Sequence, residues 1–574
     1  MNNLKKKIID VLSKSSKPLM AKEIAKEIGG VDKTKINPIL YAYPEEFSKN
    51  DSHEWHYVKS NIVSSPTILS TKIDSSLDKD LSERLKKIYG PTAKFHDGQK
   101  EAIVDLLNNK KTIVVQSTGW GKSLVFFLVT KILREAKKGP VVIISPLLSL
   151  MEDQTTKREV KKQNLQLEFI NTTNKDKWPI IYEKIRQNKV DAIMIAPEKL
   201  DNPQFLKEIE AIIPTVSMFV IDEAHCIADW GHDFRPDYMR ILSFVCKLKK
   251  GTPILATTAT ANERVIEDIK SQIVDNKYED VIIRRGNLDR QNFKIDILDL
   301  GTDARKMDWL YKNLPRLYQK NPGIVYCLTR TACNSVTKKL QEHKINAEKY
   351  HARLTDEEKT DIAMRFKNKK IDVLVATNAF GMGIDNDEIG FVIHYHKPAN
   401  FVDYYQQIGR AGRKPDKVKD AYAIMLKGSR DDNINKRFIN NAFPCESDMR
   451  RVLTYIENHP KKGFREITAA ILWSKNNSSE EDEERVKQIL TLLSIDGAIK
   501  KGYDRKYTRT STPWHYKTAE IEQRKQQRLQ ELAEFNSFAS SNTCYMKQVR
   551  LALCDKTATK CDRCAICKGH HFFE

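Results

Sequence analysis

The sequence has no long apolar run. None of its 574 residues lies in a stretch approaching the about 18 apolar residues that a membrane-spanning helix needs. The lysine-rich start is not followed by the apolar core of a secretion signal. These absences predict a soluble, cytoplasmic protein.

Cysteine is scarce along most of the chain. There are ten cysteines, thinly spread through the centre and clustered near the end. An evenly distributed disulfide framework is therefore not expected. In a reducing compartment, such a cluster favours a metal site over disulfides.

Acidic residues are too few to balance the basic ones. The chain has 97 Lys and Arg against 76 Asp and Glu, a formal charge of +21. Such an excess predicts a polyanionic partner, because basic side chains neutralise phosphates. The alternative is a solvated basic surface without a specific partner.

A glycine-containing turn at residues 117–123 joins an apolar strand-like run to an apolar helix-like pattern. Backbone N–H groups at a helix N-terminus can cradle phosphates. Lys122 can reach the β- and γ-phosphates, and the Ser123 hydroxyl can bind Mg²⁺. The turn therefore predicts a phosphate-binding site whose other members are Thr118, Gly119, Trp120 and Gly121.

Two further motifs follow in an order that suits ATP hydrolysis. Asp222 and Glu223, with His225 close behind, come after a buried-strand run; the first can hold the metal and the second can orient the attacking water. About 290 residues after the lysine, Arg410 and Arg413 can act on a transferring γ-phosphoryl group. A lone glycine loop would be a weak signal, whereas three ordered motifs are a strong one.

Strand and helix patterns alternate twice between residues 85 and 443. This predicts an α/β fold with two tandem, doubly wound parallel-sheet domains and ATP in the cleft between them. Helical stripes with short aromatic or basic strands at both flanks predict winged-helix-like units. The predicted boundaries are 1–60 (winged-helix-like), 61–84 (linker), 85–287 and 288–443 (the α/β domains), 444–517 (winged-helix-like) and 518–574 (a helix and the cysteine cluster).

These motifs resemble the RecQ family of ATP-dependent DNA helicases, within superfamily 2, over residues 85–440 and the terminal cysteine segment. The most specific stretch is residues 222–238. After the acidic motif it resembles the aromatic-rich loop by which that family couples single-stranded DNA to ATP hydrolysis, which would involve Trp230, His232, Phe234 and Arg235. Packing is the alternative for the aromatic residues, but Gly231 and Pro236 argue against a regular helix.

The resemblance implies RecA-like domains, binding of ATP and Mg²⁺, and 3′→5′ translocation on single-stranded DNA with unwinding at duplex junctions. It assigns the adenine to Gln99 and adds Gln406 to the nucleotide-binding residues, while Ser123 and Asp222 would hold the magnesium. The pathway, whether repair, recombination or defence against foreign DNA, is not written in the sequence. Unlike the commonest family arrangement, a winged-helix-like segment here precedes the cysteine module.

Cys561, Cys564 and Cys567 offer three thiolates within seven residues. A fourth ligand would complete a tetrahedral Zn²⁺ site, and the family position points to Cys544. The competing ligands are Cys554, His570 and His571, and an iron–sulfur cluster is the competing metal centre. Because the cluster is distant in sequence from the ATP motifs, we expect the ATP site to stay assembled when a ligand is lost.

Two other functions fit parts of the pattern. The same motor motifs serve translocases and RNA helicases, which strand-separation assays on DNA and RNA would distinguish. A DNA-binding regulator with a degenerate ATPase is a different class of protein. The intact Lys122, Asp222, Glu223, Arg410 and Arg413 argue against that regulator.

Overall fold

The computed structural model describes residues 7–12, 15, 17, 19–29, 32, 36–37, 40, 47–49, 54–57, 74–117, 119–146, 158–170, 174–227, 236–274, 280–380, 386–472 and 480–573. The chain forms two compact units, residues 1–72 and 73–574. Among the described helices, none is both long and apolar enough to cross a membrane.

The N-terminal unit combines helices with a small antiparallel hairpin. Residues 7–12 are helical, α1 spans Ala21–Ile28, and β1 (Phe47–Lys49) pairs with β2 (Trp55–Tyr57). Trp55 also forms a bridge to Leu19 and is buried. Much of the remainder of the winged-helix-like unit predicted at 1–60, and residues 61–73 of the predicted linker, lie outside the described residues.

The first lobe of the larger unit is built on a seven-stranded, fully parallel sheet in the order β5-β6-β4-β7-β8-β3-β9. The β-branched runs of its inner strands are buried on both faces, as parallel strands covered by helices require, whereas the two edge strands are partly exposed. The strands are β3 (Lys111–Val115), β4 (Val141–Ile144), β5 (Leu167–Ile170), β6 (Ala192–Ile195), β7 (Met218–Ile221), β8 (Ile254–Thr258) and β9 (Val281–Arg285). The helices are α2 (Ser75–Tyr89), α3 (Gln99–Leu107), α4 (Lys122–Glu135), α5 (Arg158–Gln163), α6 (Trp178–Arg186), α7 (Pro203–Glu210), α8 (Ile241–Val245) and α9 (Glu263–Ile273).

The second lobe has a six-stranded parallel sheet in the order β10-β15-β14-β11-β13-β12. Its strands are β10 (Phe293–Gly301), β11 (Gly323–Tyr326), β12 (Ala347–Tyr350), β13 (Val373–Ala376), β14 (Phe391–His394) and β15 (Ala421–Gly428). Its helices are α10 (Asp303–Tyr318), α11 (Arg330–Glu342), α12 (Asp356–Lys367), α13 (Phe401–Ile408) and α14 (Asp431–Asn441). Two parallel-sheet lobes confirm the predicted fold class.

Three helices and a hairpin follow the second lobe. They are α15 (Glu446–Asn458), α16 (Phe464–Leu472), α17 (Glu480–Ile495), β16 (Ile499–Lys501) and β17 (Tyr507–Arg509). The hairpin is antiparallel, and Trp514 packs into a shared apolar core with the helices. The chain continues through α18 (Thr518–Ala539), α19 (Tyr545–Ala552) and α20 (Ala565–Lys568).

Helix α18 crosses from one lobe to the other. Near its middle, Glu531 forms an ion pair with Arg264 of the first lobe, with 2.8 Å between Oε1 and Nε. Near its end, Phe535 and Phe538 pack against Tyr404 of the second lobe, with ring centroids 5.5 and 5.7 Å apart. The helix is therefore attached to lobe one by an ion pair and to lobe two mainly by aromatic packing, to which Asn536 adds a hydrogen bond to Asp432 at 3.1 Å.

Candidate active site and metal centre

The phosphate-binding turn and the acidic motif lie at the same edge of the first sheet. Strands β7, β8 and β3 are neighbours in that sheet and run in parallel. Their carboxyl ends therefore open onto one edge, where open α/β sheets bind ligands. This places Lys122, Asp222 and Thr258 around a common cleft.

The phosphate-binding turn is closed by its own backbone. Gly121 caps α4 at a φ of 94°, a backbone conformation that favours glycine. A Cβ atom there would also lie only 2.7 Å from the Gln99 amide nitrogen, so both the backbone angle and the lack of space disfavour a side chain. Lys122 Nζ donates to the Gln116 carbonyl at 3.0 Å, across the turn. Ser123 follows in the first turn of α4, and Thr118 lies outside the described residues.

Gln99 is buried and braces this turn. Its side-chain nitrogen donates to the Trp120 carbonyl at 2.6 Å, and its oxygen accepts from the His96 N–H at 2.8 Å. Trp120 in turn donates its indole N–H to the Asp97 carbonyl at 3.0 Å. The residue predicted to contact adenine is thus held against the phosphate turn.

The acidic motif is fixed by hydrogen bonds and by an unusual backbone conformation. The Thr257 hydroxyl donates to Asp222 Oδ1 at 2.6 Å, and Asp222 is 5% exposed. Glu223 has a φ of 50°, in the left-handed region that residues with a side chain rarely adopt. Tyr238, part of the stretch that resembles the aromatic-rich loop, is fully buried and donates its hydroxyl to the Asp222 carbonyl.

A chain of polar contacts runs from the acidic motif into the second lobe. His225 Nδ1 lies 3.4 Å from Glu223 Oε2 and 3.1 Å from Thr258 Oγ1. The Thr258 hydroxyl donates to the Thr260 carbonyl at 2.9 Å, an arrangement that suits the His225 tautomer with its proton on Nδ1. Gln406, on α13 of the second lobe, donates to Thr260 Oγ1 at 2.8 Å.

The two arginines follow helix α13 of the second lobe, and Arg410 is close enough to Glu223 of the first lobe to feel its charge. Burial lowers the pKa of Arg410, and Arg413 acts in the same direction, whereas Tyr326 and Glu223 oppose it. Arg410 Nε is shielded from solvent and has no hydrogen-bond partner. A buried guanidinium nitrogen of this kind is suited to an incoming anion.

Arg290 holds the loop that carries these arginines through hydrogen bonds to its backbone. Its two terminal nitrogens donate to the carbonyls of Gly409 and Gly412, at 2.7 and 2.6 Å. Asn292 donates to the same Gly412 carbonyl at 2.8 Å. Burial lowers the pKa of Arg290 to about 10, which leaves it charged at neutral pH.

Four cysteines meet at one point near the chain end. The sulfur atoms of Cys544, Cys561, Cys564 and Cys567 all lie within 4.8 Å of one another, and two of the separations are 3.4 and 3.9 Å. Metal–sulfur bonds of about 2.3 Å in a tetrahedron place sulfur atoms about 3.8 Å apart. Hydrogen bonds from Cys561 and Cys564 lower the pKa of Cys544, while hydrogen bonds with Cys544 and Cys561 raise the pKa of Cys564, so the neighbouring thiols share protons that metal binding would release. The donor set therefore fits a metal ion.

The competing ligands lie elsewhere. Burial raises the pKa of Cys554, and a positive φ of 62° places it in the turn after α19. His570 contacts the carbonyl of His571, and His571 Nδ1 lies 2.8 Å from the buried Asp296 carboxylate. None of the three belongs to the cluster that the described residues form.

Sequence reasoning missed several residues around this site. Trp230, His232, Phe234 and Arg235, which it did select, lie outside the described residues. Thr258, the last residue of strand β8, and Thr260 were not selected. Arg290 lies between two strands, and its role could not be inferred locally because the two carbonyls to which it donates are more than 100 residues away in sequence.

The DEAD/DEAH box helicase model matches residues 96–269, and the helicase conserved C-terminal domain model matches residues 305–415. Dbp5 of S. cerevisiae, solved with RNA and ADP BeF3, superposes with a TM-score of 0.50 at 20% identity, covering 71% of this chain and 97% of Dbp5. That likeness concerns the fold alone. The two matched models define the class of the protein as a DEAD/DEAH box helicase with a helicase C-terminal domain.

Curated proteins of similar sequence identify the family to which the chain belongs. The probable ATP-dependent DNA helicase RecS of Bacillus subtilis (strain 168) is 32% identical over 391 residues, covering 67% of this chain and 75% of RecS. The RecQ-like DNA helicase blm-1 of Caenorhabditis elegans is 33% identical over 403 residues, covering 67% of this chain but 39% of blm-1. The chain belongs to the RecQ family of ATP-dependent DNA helicases.

Proposed function

We propose that this protein hydrolyses ATP between its two lobes and uses the cycle to translocate 3′→5′ on single-stranded DNA and unwind duplex DNA in the cytoplasm. The observation that carries the proposal is the polar path from Glu223 to Gln406. It joins the acidic motif of one lobe to a helix of the other. A path of this kind can link the state of the nucleotide to the position of the lobes.

The first lobe would hold the nucleotide. The N–H groups of the phosphate turn and Lys122 would bind the phosphates, with Ser123 and Asp222 holding Mg²⁺. Bound Mg²⁺ would neutralise charge on the β- and γ-phosphates. Gln99 would contact adenine at one end of the turn that it braces.

Hydrolysis would need both lobes. Glu223 would orient the attacking water, since its carboxylate lies beside His225 at the cleft edge. Arg410 and Arg413 would stabilise the charge that develops on the γ-phosphoryl group. Because they belong to the second lobe, turnover would be completed only when the lobes are correctly placed.

DNA would bind through its backbone and its bases. The +21 formal charge suits a polyanion, and phosphate contacts permit movement without sequence preference. The residues that would contact unpaired bases are Trp230, His232, Phe234 and Arg235. Because they directly follow the acidic motif in sequence, their contact with DNA would be coupled to ATP hydrolysis.

The hairpin β16–β17 would meet the duplex. Its tip carries Tyr503, which is 68% exposed, next to Arg505 and Lys506. At the strand, Lys501 forms an ion pair of 2.9 Å with Asp201 of the first lobe, which fixes the hairpin to the motor. An exposed aromatic ring flanked by positive charge is suited to stacking on a base at a fork.

The cysteine module would bind one Zn²⁺ through Cys544, Cys561, Cys564 and Cys567. Soft thiolates in a tetrahedral set favour zinc, and four protein ligands leave no position open for substrate. Zinc would therefore supply structural stability there.

Fork substrates test the proposal. Duplexes with a 3′ single-stranded tail should be unwound in an ATP-dependent manner, whereas 5′-tailed duplexes should not, and Lys122→Ala should unwind neither. Unwinding of 5′-tailed DNA alone would contradict the polarity. Faster unwinding of a matched RNA duplex than of DNA would favour the RNA helicase alternative, and ATPase activity without any unwinding would favour a translocase.

A further inference from the structure

The two lobes are joined by a short connecting segment, residues 286–292, which we call the hinge. It begins after Arg285 at the end of β9 and ends before Phe293 at the start of β10. Any change in the angle between the lobes passes through the backbone of these residues. A contact that restrains the hinge therefore restrains the relative placement of the two halves of the ATP site.

The turn after α19 contacts the start of the hinge. Arg285 donates to the Leu553 carbonyl at 3.1 Å and to Ala261 of its own lobe at 2.8 Å. The Leu288 N–H donates to Asp555 Oδ2 at 3.4 Å. The cysteine module thus lies against the junction of the lobes.

Arg563 contacts the second half of the hinge with both ends of its guanidinium group. One terminal nitrogen forms an ion pair with Asp289 at 2.5 Å, and the other donates to Gln291 Oε1 at 3.0 Å. Arg563 lies between Cys561 and Cys564 in the sequence, and it also donates to the Cys561 carbonyl at 2.8 Å. The backbone that metal binding would fix is the backbone that carries this arginine.

Arg290 stands between the two hinge residues that Arg563 holds. As described above, Arg290 donates to the carbonyls of Gly409 and Gly412, which flank Arg410 and precede Arg413. Three layers are therefore in contact: the cysteine turn, the hinge and the arginine loop.

We propose that Arg563 is a positioning residue for ATP hydrolysis, which couples the metal-bound cysteine turn to the arginine loop through Asp289, Arg290 and Gln291. It acts through the hinge and does not itself contact the nucleotide. The inference rests on the proposed roles of Arg410 and Arg413. It gives the metal module a function in setting turnover, in addition to stabilising its own fold.

Arg563→Ala tests the coupling. We expect the purified variant to keep one equivalent of zinc and a KM for ATP within twofold of the original. The kcat of DNA-stimulated hydrolysis should fall about tenfold, the loss expected from one charge-assisted contact. Affinity for ADP with aluminium fluoride should fall to a similar extent, while affinity for ADP alone is unchanged, because the arginines act on the transferring group.

Matched variants separate the possible outcomes. Lys560→Ala, an exposed change in the same turn, should alter none of these quantities. Asp289→Asn should reproduce the loss, and Arg563→Ala combined with it should lose little more than either alone. If the alanine variant does not fold, the same measurements are made on Arg563→Lys, which keeps the charge but cannot contact Asp289 and Gln291 with two separate nitrogens.

A kcat within twofold of the original, with zinc retained, would overturn the coupling. So would a loss of zinc that accompanies every loss of turnover, since a purely structural role would then suffice. Arg410→Ala is measured alongside them. If Arg410→Ala also leaves kcat unchanged, the result contradicts the role assigned to the arginines in the proposed function, and not specifically the coupling through Arg563.

Discussion

Glu223 combines a strained backbone with a defined neighbour. A side-chain-bearing residue in the left-handed region costs about 1–3 kcal/mol, and such strain persists where the surroundings fix it. Here the preceding Asp222 is buried and hydrogen-bonded, and the following His225 is held by Thr258. The carboxylate is therefore kept at the cleft edge at the expense of some local stability.

Glu223→Gln should abolish turnover while leaving ATP and DNA binding largely intact. The amide keeps the shape of the side chain but cannot orient and activate water as the carboxylate does, so we expect a fall of at least about 100-fold. DNA-stimulated phosphate release and filter binding to single strands measure the two properties. Glu267→Gln, on an exposed part of the same lobe, is the control, and near-normal hydrolysis in Glu223→Gln would contradict the assigned site.

The contact between Thr260 and Gln406 crosses the cleft and can be tested as a pair. Thr260→Val removes the acceptor hydroxyl, and Gln406→Leu removes the donor amide. Each should lower kcat about tenfold, with KM for ATP little changed, as expected for losing one buried hydrogen bond. If this single bond is responsible, the double variant should be no worse than either single variant. Simple multiplication of the two losses would show that the residues act separately.

Among the elements, the hairpin β16–β17 is small but well anchored. It is tied to the first lobe through Lys501 and Asp201, while Tyr503 remains exposed at its tip. Its position depends on the motor, and its tip is available for a partner.

Tyr503→Ala should reduce unwinding of a forked duplex several-fold without reducing ATPase activity stimulated by single strands. The loss of a stacking surface removes about 1–3 kcal/mol of contact with one base. Gel-based unwinding and phosphate release, measured on the same preparation, distinguish the two effects. Tyr503→Phe keeps the ring and should unwind normally. An equal loss in both assays for the alanine variant would point to general damage.

The cysteine module makes an elemental prediction that is independent of activity. The purified protein should contain about one zinc per chain, and Cys544→Ser should reduce it below half an equivalent because three thiolates bind more weakly than four. Metal analysis provides the measurement. Cys554→Ser should leave the content unchanged, because its sulfur is not part of the cluster. The reverse pattern would require a different ligand set.

At the scale of the whole molecule, the sequence predicted the architecture where patterns were continuous. Met218–Ile221 and Gly323–Tyr326 are unbroken apolar runs, and both form fully buried strands of the parallel sheets. Strands Val281–Arg285 and Phe293–Gly301 were not predicted, because charged residues interrupt their apolar pattern. Continuous runs report burial on both faces, whereas edge strands and mixed strands do not.

Contacts between distant segments could not be predicted in the same way. The cysteine spacing selected the four sulfur atoms that meet in space. The expectation that the ATP site stays assembled when a cysteine ligand is lost stays a prediction. Asp289 and Arg563 are 274 residues apart, yet they form an ion pair at the hinge. Single charged residues of this kind carry no local signal, since their partners are set by the tertiary fold.

The two attachments of α18 differ in their response to ionic strength. Dissolved salt screens the ion pair between Glu531 and Arg264, whereas the packing of Phe535 and Phe538 on Tyr404 is not weakened by screening. Raising the salt concentration should therefore loosen the helix from the first lobe while it stays fixed to the second. Salt also weakens contacts with DNA phosphates, so it acts on this motor in two separate places. ATP hydrolysis measured without DNA, as a function of salt concentration, separates the effect of salt on the protein from its effect on DNA binding.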